Sequence, residues 1–330
     1  MNKPMFSFIT ALRRARRVLL AAHVTPDGDA AGSAVALAII VQSLGGQARV
    51  CLPGGMPPSL SWFKSPAPVL AGLNELGIWI PDLLVFADCG DAHRAGPELA
   101  ALFLGQLPPG WDGLVTANID HHQGNPLFAD INWVEPDRAA TGELVGLMAE
   151  ELGLPLSGAL GEALYLALAT DTGNFTYDNT SADSLALASR IVAAGFDVAA
   201  FTDANENNWS LERMHLWGRL MSGISLHAGG AVACCMVPLS YLEELGLARD
   251  DLEGFASWLR RIRGVRVALF IREDAAGLCK ISLRSMGDFD VRAVAALFGG
   301  GGHKSAAGAE VALTPPEAAR TLLAEIERRL

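Results

Sequence analysis

Three apolar runs in the first 120 residues each stop at a histidine or an aspartate. The runs, with the residue that ends each, are Val18–Ala22 with His23, Leu83–Ala87 with Asp88, and Leu114–Ile119 with Asp120. Short apolar runs of this length are typical of buried strands. Parallel strands are buried on both faces, and ligands bind beyond their carboxyl ends. We therefore predict that these three ionisable residues lie at one edge of a parallel sheet.

Helical patterns fill the segments between and after these runs. Asp29–Leu44 is predicted as a helix that ends at a glycine pair, and Ala48–Leu52 as a second strand. Alternating strands and helices favour a parallel sheet with helices on both faces. The pattern is mainly helical over 140–223, and the polar residues 203–210 indicate a boundary.

The last third of the chain predicts a smaller α/β unit. Its strand and helix candidates are Ala231–Val237, Val265–Arg272, Leu278–Arg284, Val291–Phe298 and Pro315–Arg329. We therefore predict an α/β chain with two domains. The first covers residues 1–195, a helical linker covers 196–223, and the second domain covers 224–330.

The chain of 330 residues is acidic, with 36 Asp and Glu against 25 Lys and Arg and a net charge of -11. Non-specific affinity for long nucleic acid depends on many contacts from Lys and Arg to phosphates. The charge therefore argues against binding of that kind. It does not exclude a short anionic ligand, and bound divalent cations would offset several carboxylates.

The five cysteines are odd in number and form no C-x-x-C motif. In a chain of this size they favour free thiols in a reducing compartment over a disulfide framework. No apolar run reaches membrane-spanning length. The arginines at 13–17 precede a short apolar stretch that continues into His23 without a cleavage signal. We expect a soluble, cytoplasmic protein without a membrane partner.

The residues after the first run form a dense motif. His23-Val-Thr-Pro-Asp27-Gly-Asp29 places one imidazole and two carboxylates within seven residues of a strand-to-helix turn. Both aspartates are alternatively helix caps, and Asp29 is a plausible N-cap. Capping alone does not explain His23, which lies where the strand ends.

Two motifs follow the later strands. Asp88 follows a fully apolar run, so its carboxylate needs a cation or several hydrogen bonds, unless it caps a loop. Asp120-His121-His122 follows the next run. Adjacent side chains on an extended segment point to opposite sides, so only one of the two histidines is expected to bind a given centre.

The fourth position is Asp171, which follows an apolar helix predicted over Glu162–Thr170. The helix dipole disfavours a carboxylate at this end, and a nearby cation would relieve that cost. Together the motifs supply two imidazoles and four carboxylates, which suit Mn²⁺ or Mg²⁺ better than a thiolate zinc site. Two such ions about 3.5–4 Å apart, bridged by a carboxylate and a water, are standard machinery for phosphoester hydrolysis.

In this order the four motifs resemble those of the DHH phosphoesterase superfamily, named for the triplet that is present here as Asp120-His121-His122. The run from Gly299 through His303 to Gly308 is similar to the hallmark of the C-terminal DHHA1 domain. The resemblance therefore covers residues 18–310. Arg138-Ala-Ala-Thr-Gly-Glu143 is similar to the stand-alone nanoRNase/pAp-phosphatase branch, whereas RecJ-like exonucleases are longer.

The resemblance implies a DHH catalytic domain, a DHHA1 substrate-binding domain, and an active site in the cleft between them. It also implies two divalent cations. The six implied metal ligands are His23 and Asp27 for one ion, Asp29, His121 and Asp171 for the other, and Asp88 as the bridge. His122 would contact the scissile phosphate, and Asp120 would orient a ligating histidine.

The implied substrate clamp lies in the second domain and comprises Arg284, Ser285, Gly300, Gly301, Gly302 and His303. Consecutive glycines let backbone N–H groups approach a phosphate, and an arginine offers a fork for its oxygens. A glycine run without this context is more often a flexible turn.

The resemblance implies Mn²⁺-dependent hydrolysis of short oligoribonucleotides or of 3′-phosphoadenosine 5′-phosphate (pAp), with Mg²⁺ as the alternative metal. The other enzyme classes left open are a linear or cyclic dinucleotide phosphodiesterase and an inorganic polyphosphate or pyrophosphate hydrolase. A non-catalytic RNA- or nucleotide-binding regulator ranks low, because no implied ligand is lost. The expected partners are short RNA or mono- and dinucleotide phosphates, and a homodimer is left open.

Overall fold

The computed structural model describes residues 3–103 and 106–330, without the side chain of Phe103. The chain divides into two compact units, Met1–Asn207 and Asn208–Leu330. The division falls inside the segment 196–223 that the sequence indicates as a linker. The domain limits at 195 and 223 stay predictions.

The first unit is built on a six-stranded sheet. Its strands are β1 (Arg17–Ala21), β2 (Gln47–Cys51), β3 (Val69–Leu70), β4 (Leu83–Ala87), β5 (Val115–Asp120) and β6 (Ile131–Val134). Their order is β3-β2-β1-β4-β5-β6, and every neighbouring pair is parallel. The predicted parallel sheet is confirmed.

Helices cover both faces of this sheet, as predicted. They are α1 (Lys3–Arg14), α2 (Gly28–Ser43), α3 (Pro97–Phe103), α4 (Thr141–Glu151), α5 (Gly158–Asp171), α6 (Ala182–Ala193) and α7 (Val198–Asn205). Val18 and Leu20 of β1 pack in the core with α1, α2, α4 and α5. Leu19 and Ala21 point the other way and pack in the core with α3.

The strand order reverses between β1 and β4. The chain runs from β1 outward to β2 and β3, then returns to β4 on the other side of β1. In open parallel sheets, ligands bind in the crevice at such a reversal, beyond the carboxyl ends of the strands. The segments after β1, β4 and β5 therefore meet at this crevice.

A glycine lets α2 and α5 approach closely. Both helices are buried over most of their surface. A Cβ atom at Gly32 would lie 2.5 Å from the carbonyl oxygen of Ala163, so no other residue fits without a shift. This contact fixes the start of α2, which carries Asp27 and Asp29, relative to the end of α5, which carries Asp171.

The second unit contains a mixed sheet. Its elements are α8 (Leu211–Ser222), β7 (Ser225–His227), β8 (Val232–Val237), α9 (Leu239–Leu245), α10 (Phe255–Trp258), β9 (Val267–Ala275), β10 (Leu278–Ser285), α11 (Val291–Ala296), β11 (Gly301–Gly302), β12 (Ala306–Val311) and α12 (Pro315–Arg329). The order is β11-β12-β10-β9-β8-β7, and only β8 and β9 pair in parallel. Helices α11 and α12 pack on one face, and α8, α9 and α10 on the other. The predicted smaller α/β unit is confirmed.

Some elements have no clear signal in the sequence. β12 is made mostly of small residues and becomes a strand by pairing with β10. Helix α1 packs against β6, and the rings of Phe8 and Trp133 lie 6.1 Å apart between them. All five cysteines are buried free thiols. Within the described ranges no single helix could cross a membrane; α6 and α7, bent by 109°, meet the length and composition limits only as a pair.

The Gly32 contact predicts opposite effects for two helical glycine-to-alanine changes. Gly32→Ala should destabilise the protein by about 1–3 kcal/mol, because the added methyl group overpacks the α2–α5 contact. Gly218→Ala in α8 should stabilise by about 0.5–1 kcal/mol, because alanine favours helix and its Cβ would meet no atom within 4 Å. Thermal unfolding of both variants measures this, and equal shifts would contradict the packing account.

Candidate metal centre

The crevice at the strand reversal gathers all six residues that the sequence indicates as metal ligands. Their positions are His23 after β1, Asp27 and Asp29 at the start of α2, Asp88 after β4, His121 after β5, and Asp171 at the end of α5. Four separate segments of the first unit thus supply side chains to one place. Whether each side chain binds a metal stays a prediction.

Asp88 lies at the centre of this cluster and is buried. Its Oδ2 atom is 3.6 Å from Nε2 of His23. Its Oδ1 atom is 3.6 Å from Nε2 of His121 and accepts a hydrogen bond of 3.1 Å from the Thr141 hydroxyl. The two carboxylate oxygens therefore face different histidines, which is the arrangement a bridging ligand needs.

The remaining carboxylates flank the two histidines. Nε2 of His23 lies 3.9 Å from Oδ2 of Asp27. Nε2 of His121 lies 3.8 Å from Oδ2 of Asp29 and 3.3 Å from Oδ2 of Asp171. Three groups have ligand atoms within 4.8 Å of one another: His23, Asp27 and Asp88; Asp29, His121 and Asp171; and Asp88, His121 and His122.

Backbone carbonyls fix the orientation of both histidines. Nδ1 of His23 lies 2.9 Å from the carbonyl oxygen of Val24, and Nδ1 of His121 lies 3.0 Å from that of Arg138. A carbonyl only accepts, so Nδ1 carries a hydrogen in both rings and Nε2 is the ring atom that faces the carboxylates and could bind a metal. Histidines that bind metals are usually held in this way.

Asp88 adopts a left-handed backbone conformation with φ of 55°. This costs a residue with a Cβ atom about 1–2 kcal/mol, although aspartate tolerates it better than most residues. Its N–H still donates to the carbonyl of Ile119 at 3.0 Å, so the bend occurs directly at the end of the strand ladder. Strained backbone of this kind is concentrated at functional sites.

Asp29 does not cap its own helix, so that prediction is wrong. Asp27 is the N-cap of α2 and accepts from the helix backbone at 3.0 Å. Asp29 instead accepts the backbone N–H groups of Thr141 at 2.7 Å and Gly142 at 2.9 Å. It thereby caps α4, whose own N-cap residue makes no side-chain cap.

Strand alternation predicts that adjacent side chains point to opposite sides, but His121 and His122 both face Asp88. Nδ1 of His122 lies 3.5 Å from Oδ1 of Asp88, the same oxygen that His121 approaches. The two imidazole rings are 5.1 Å apart between centroids. Strand β5 ends at Asp120, so the alternation of an extended strand does not continue through the pair.

Asp120 is bonded to a different histidine from the one expected. Its Oδ1 atom accepts a hydrogen bond of 2.8 Å from Nδ1 of His122, and Asn125 donates to its Oδ2 at 2.6 Å. The expectation that Asp120 orients a metal-ligating histidine is therefore wrong for His121, whose Nδ1 bonds to a carbonyl. Asp120 holds the histidine that is expected to meet the phosphate.

Arg94 also lies beside the site, although the sequence assigns it no role. Its Nη1 atom lies 3.0 Å from Nε2 of His122. Guanidinium only donates, so Nε2 accepts here and Nδ1 carries the hydrogen that Asp120 receives. The sequence signal was the position of Arg94 six residues after Asp88, in the same loop.

The carboxylates are too crowded to ionise together without a cation. Burial, followed by the charges of Asp88 and Asp171, raises the pKa of Asp29 well above its usual range. Burial also raises the pKa of Asp171 to about 7. Burial opposes ionisation of Asp88 as well, but a hydrogen bond with His23 and the charge of His121 lower its pKa overall. A divalent cation would stabilise all of these carboxylates in the charged form, so the donor set fits one.

Two family models and several known proteins match most of the chain. The profiles described as "DHH family, N-terminal domain" and "DHHA1 domain" match residues 17–168 and 230–330. The chain is similar to the bifunctional oligoribonuclease and PAP phosphatase NrnA of Thermus thermophilus, at 30% identity over 298 residues that cover 88% of this chain and 83% of that protein. The chain belongs to the DHH family. The predicted phosphoester hydrolase is thereby confirmed.

Two further similarities cover nearly the whole chain. The NrnA protein of Bacillus subtilis, also described as a bifunctional oligoribonuclease and PAP phosphatase, is 26% identical over 300 residues, which cover 89% of each protein. The crystal structure of an exopolyphosphatase-related protein from Bacteroides fragilis has a TM-score of 0.89 and 27% identity, and the match covers 99% of both chains. The DHH and DHHA1 parts therefore occur together in the same order in similar proteins of comparable length.

The six predicted clamp residues of the DHHA1 unit differ in their exposure and in their hydrogen bonds. Arg284 is half-buried, and its Nε atom lies 3.3 Å from the Ser257 hydroxyl. His303 is exposed. Ser285 is buried and donates its hydroxyl to the carbonyl of Phe289 at 2.7 Å, so it holds a turn and offers no surface for a substrate.

The glycine run has a steric reason that differs from the expected phosphate cradle. A Cβ atom at Gly300 would lie 2.1 Å from the carbonyl oxygen of Gly308. Gly301 and Gly302 pair with β12 as strand β11, and the N–H of Gly300 donates to Ala295 at 2.9 Å. The run therefore lets the chain lie against β12, and part of its backbone N–H set is already used within the fold.

Without divalent cations, the free energy of unfolding of this protein should fall as pH rises. The pKa of Asp171 is about 7 against an ordinary 3.8. Burial lowers the pKa of His121, but the charges of Asp171, Asp88 and Asp29 outweigh it and raise that pKa from 6.5 to about 9. Both groups bind their proton more tightly when folded, so unfolding releases protons and the free energy of unfolding decreases with pH.

Thermal unfolding in a chelator, at steps between pH 4 and pH 9, measures this effect. This range runs from the ordinary pKa of Asp171 to the raised pKa of His121. Asp171→Asn should make the fall smaller at both ends of this range, because it removes the raised pKa of Asp171 and the charge that most raises the pKa of His121. The raised pKa of Asp29 should keep part of the fall in place. Saturating Mn²⁺ should remove most of the dependence above neutrality. A thermal stability that does not change with pH in chelator would show that the pKa values of Asp171 and His121 are not raised in the folded protein.

Proposed function

We propose that the chain hydrolyses short oligoribonucleotides and pAp with two divalent cations, of which Mn²⁺ is preferred. The observation that carries this proposal is Asp88, whose two oxygens each face the Nε2 atom of a different histidine. Similarity to two proteins described as oligoribonuclease and PAP phosphatase supports the substrate class. The carboxylate and imidazole donors are compatible with Mn²⁺, and none of the six proposed ligands is a thiolate that would favour zinc.

The proposed ligands fall into two groups around Asp88. His23 and Asp27 would hold one cation, Asp29, His121 and Asp171 would hold the second, and Asp88 would contribute a ligand to both. Bound there, the cations would acidify a water and offset charge that develops on phosphoryl oxygens. Thr141 helps to fix the bridging carboxylate through its hydrogen bond to Oδ1.

The residues of this chain have separate tasks around the reacting phosphate. His122 is proposed to contact the scissile phosphate. Asp120 holds the His122 ring in place by accepting its Nδ1 hydrogen bond, and Asn125 in turn donates a hydrogen bond to Asp120. Asp29 ties the site to the backbone of α4. In the DHHA1 unit, Arg284 and His303 are the proposed contacts for the substrate end, while Ser285 and the glycines shape their surroundings.

Removing the bridging carboxylate should abolish hydrolysis while preserving the fold. Asp88→Asn keeps the side-chain shape and tolerates the left-handed φ, but it loses the charge between the two histidines. The loss in kcat should exceed the roughly 100-fold that removing a residue behind a metal ligand causes. The exposed Asp112→Asn is the control. Wild-type turnover by Asp88→Asn would refute the two-metal proposal.

A substrate panel in saturating Mn²⁺ tests the substrate class. Labelled RNA of about two to five nucleotides and pAp should be hydrolysed, and an RNA of about twenty nucleotides more slowly, because an acidic protein lacks the charge to bind a long strand. Cyclic and linear dinucleotides, pyrophosphate and polyphosphate complete the panel. Fastest turnover of pyrophosphate or polyphosphate would replace the proposed substrate class with an inorganic one.

A further inference from the structure

We infer that Arg94 binds the substrate phosphate beside His122, a role that rests on the proposed function. The guanidinium lies 3.0 Å from Nε2 of His122, the ring that is proposed to meet the scissile phosphate. An anion at that ring is therefore within reach of both side chains. Guanidinium recognises phosphate oxygens through its fork of N–H donors.

The side chain of Arg94 contacts the His122 ring. His122 accepts its hydrogen bond through Nε2, because Nδ1 of the ring carries the hydrogen that Asp120 receives at 2.8 Å. No carboxylate among the described residues forms an ion pair with Arg94. A hydrogen bond from guanidinium to a charged phosphate oxygen is stronger than one to a neutral ring nitrogen. An incoming phosphate would therefore take the place of the ring as the partner of Arg94.

The loop that carries Arg94 is fixed against both sides of the site. The Arg94 backbone N–H donates to Asp91 at 3.1 Å, and its carbonyl accepts from Val24, next to His23, at 2.7 Å. A Cβ atom at Gly90 would lie 2.9 Å from Cβ of His122, so the loop lies directly on that histidine. The side chain is exposed, so a substrate reaches it. Its backbone is thus positioned before substrate binds, which favours tight binding.

The charge balance of the site favours the same role. Asp27, Asp29, Asp88 and Asp171 carry four negative charges when ionised, which two divalent cations would balance. Asp120 adds a fifth carboxylate beside His122. The positive charge of Arg94 offsets that carboxylate at the ring where the phosphate is proposed to bind. Without Arg94, an anionic substrate would meet a net negative site.

The test compares wild type with Arg94→Ala, Arg94→Lys and the control His93→Ala, which changes the exposed neighbouring residue of the same turn. With pAp in saturating Mn²⁺, Arg94→Ala should lose roughly 10- to 100-fold in kcat/KM, the range for a hydrogen bond to a charged group. Arg94→Lys should recover part of the loss, and guanidinium ion added to Arg94→Ala should restore activity. His93→Ala should match wild type.

A second readout separates this inference from the proposed function. Binding of radiolabelled inorganic phosphate to the Mn²⁺-loaded protein should weaken in Arg94→Ala, with unchanged Mn²⁺ content, and not in His93→Ala. That result would support Arg94 even if neither pAp nor RNA were a substrate of the wild type. Unchanged phosphate binding in Arg94→Ala, or a loss of activity that neither lysine nor guanidinium restores, would overturn the inference.

Discussion

The carboxylate of Asp88, buried between two imidazoles at the reversal of strand order, is the constraint on which the site depends. The reversal places the ends of β1 and β4 side by side, so His23 and Asp88 meet there. Strand β5 pairs with the other side of β4 and brings His121 to the second oxygen. A charged group buried this deeply needs counter-charge, and the surrounding carboxylates increase that need. The cation that the cluster favours is thus a consequence of the fold.

The sequence predicts the part of this arrangement that depends on local pattern. Apolar runs locate β1, β4 and β5 within one residue. The residue after each of the first two runs reaches the crevice, and after the third run it is His121, one residue beyond Asp120. The rule that parallel strands present ligands at their carboxyl ends is then enough to group His23, Asp88 and the residues after β5. The close agreement reflects the continuous apolar runs of strands that are buried on both faces.

The sequence does not predict contacts between distant segments. Asp29 caps α4 across 112 positions in the chain, and nothing near Asp29 indicates this. The pairing of Asp120 with His122, and the approach of Arg94 to the same ring, depend on a turn that begins where β5 ends. Ser285 matches the family motif in sequence, yet its burial gives it a supporting role. In each case the tertiary fold, and not local propensity, decides what the side chain contacts.

Titration of the metal-free protein with Mn²⁺, followed by electron paramagnetic resonance, tests the central claim most directly. Two ions that share the carboxylate of Asp88 should bind per chain, with a spectrum that shows magnetic coupling between neighbouring ions, since bridged ions lie about 3.5–4 Å apart. Binding of a single ion per chain, or of two ions with the spectrum of isolated Mn²⁺, would contradict a shared bridge at Asp88.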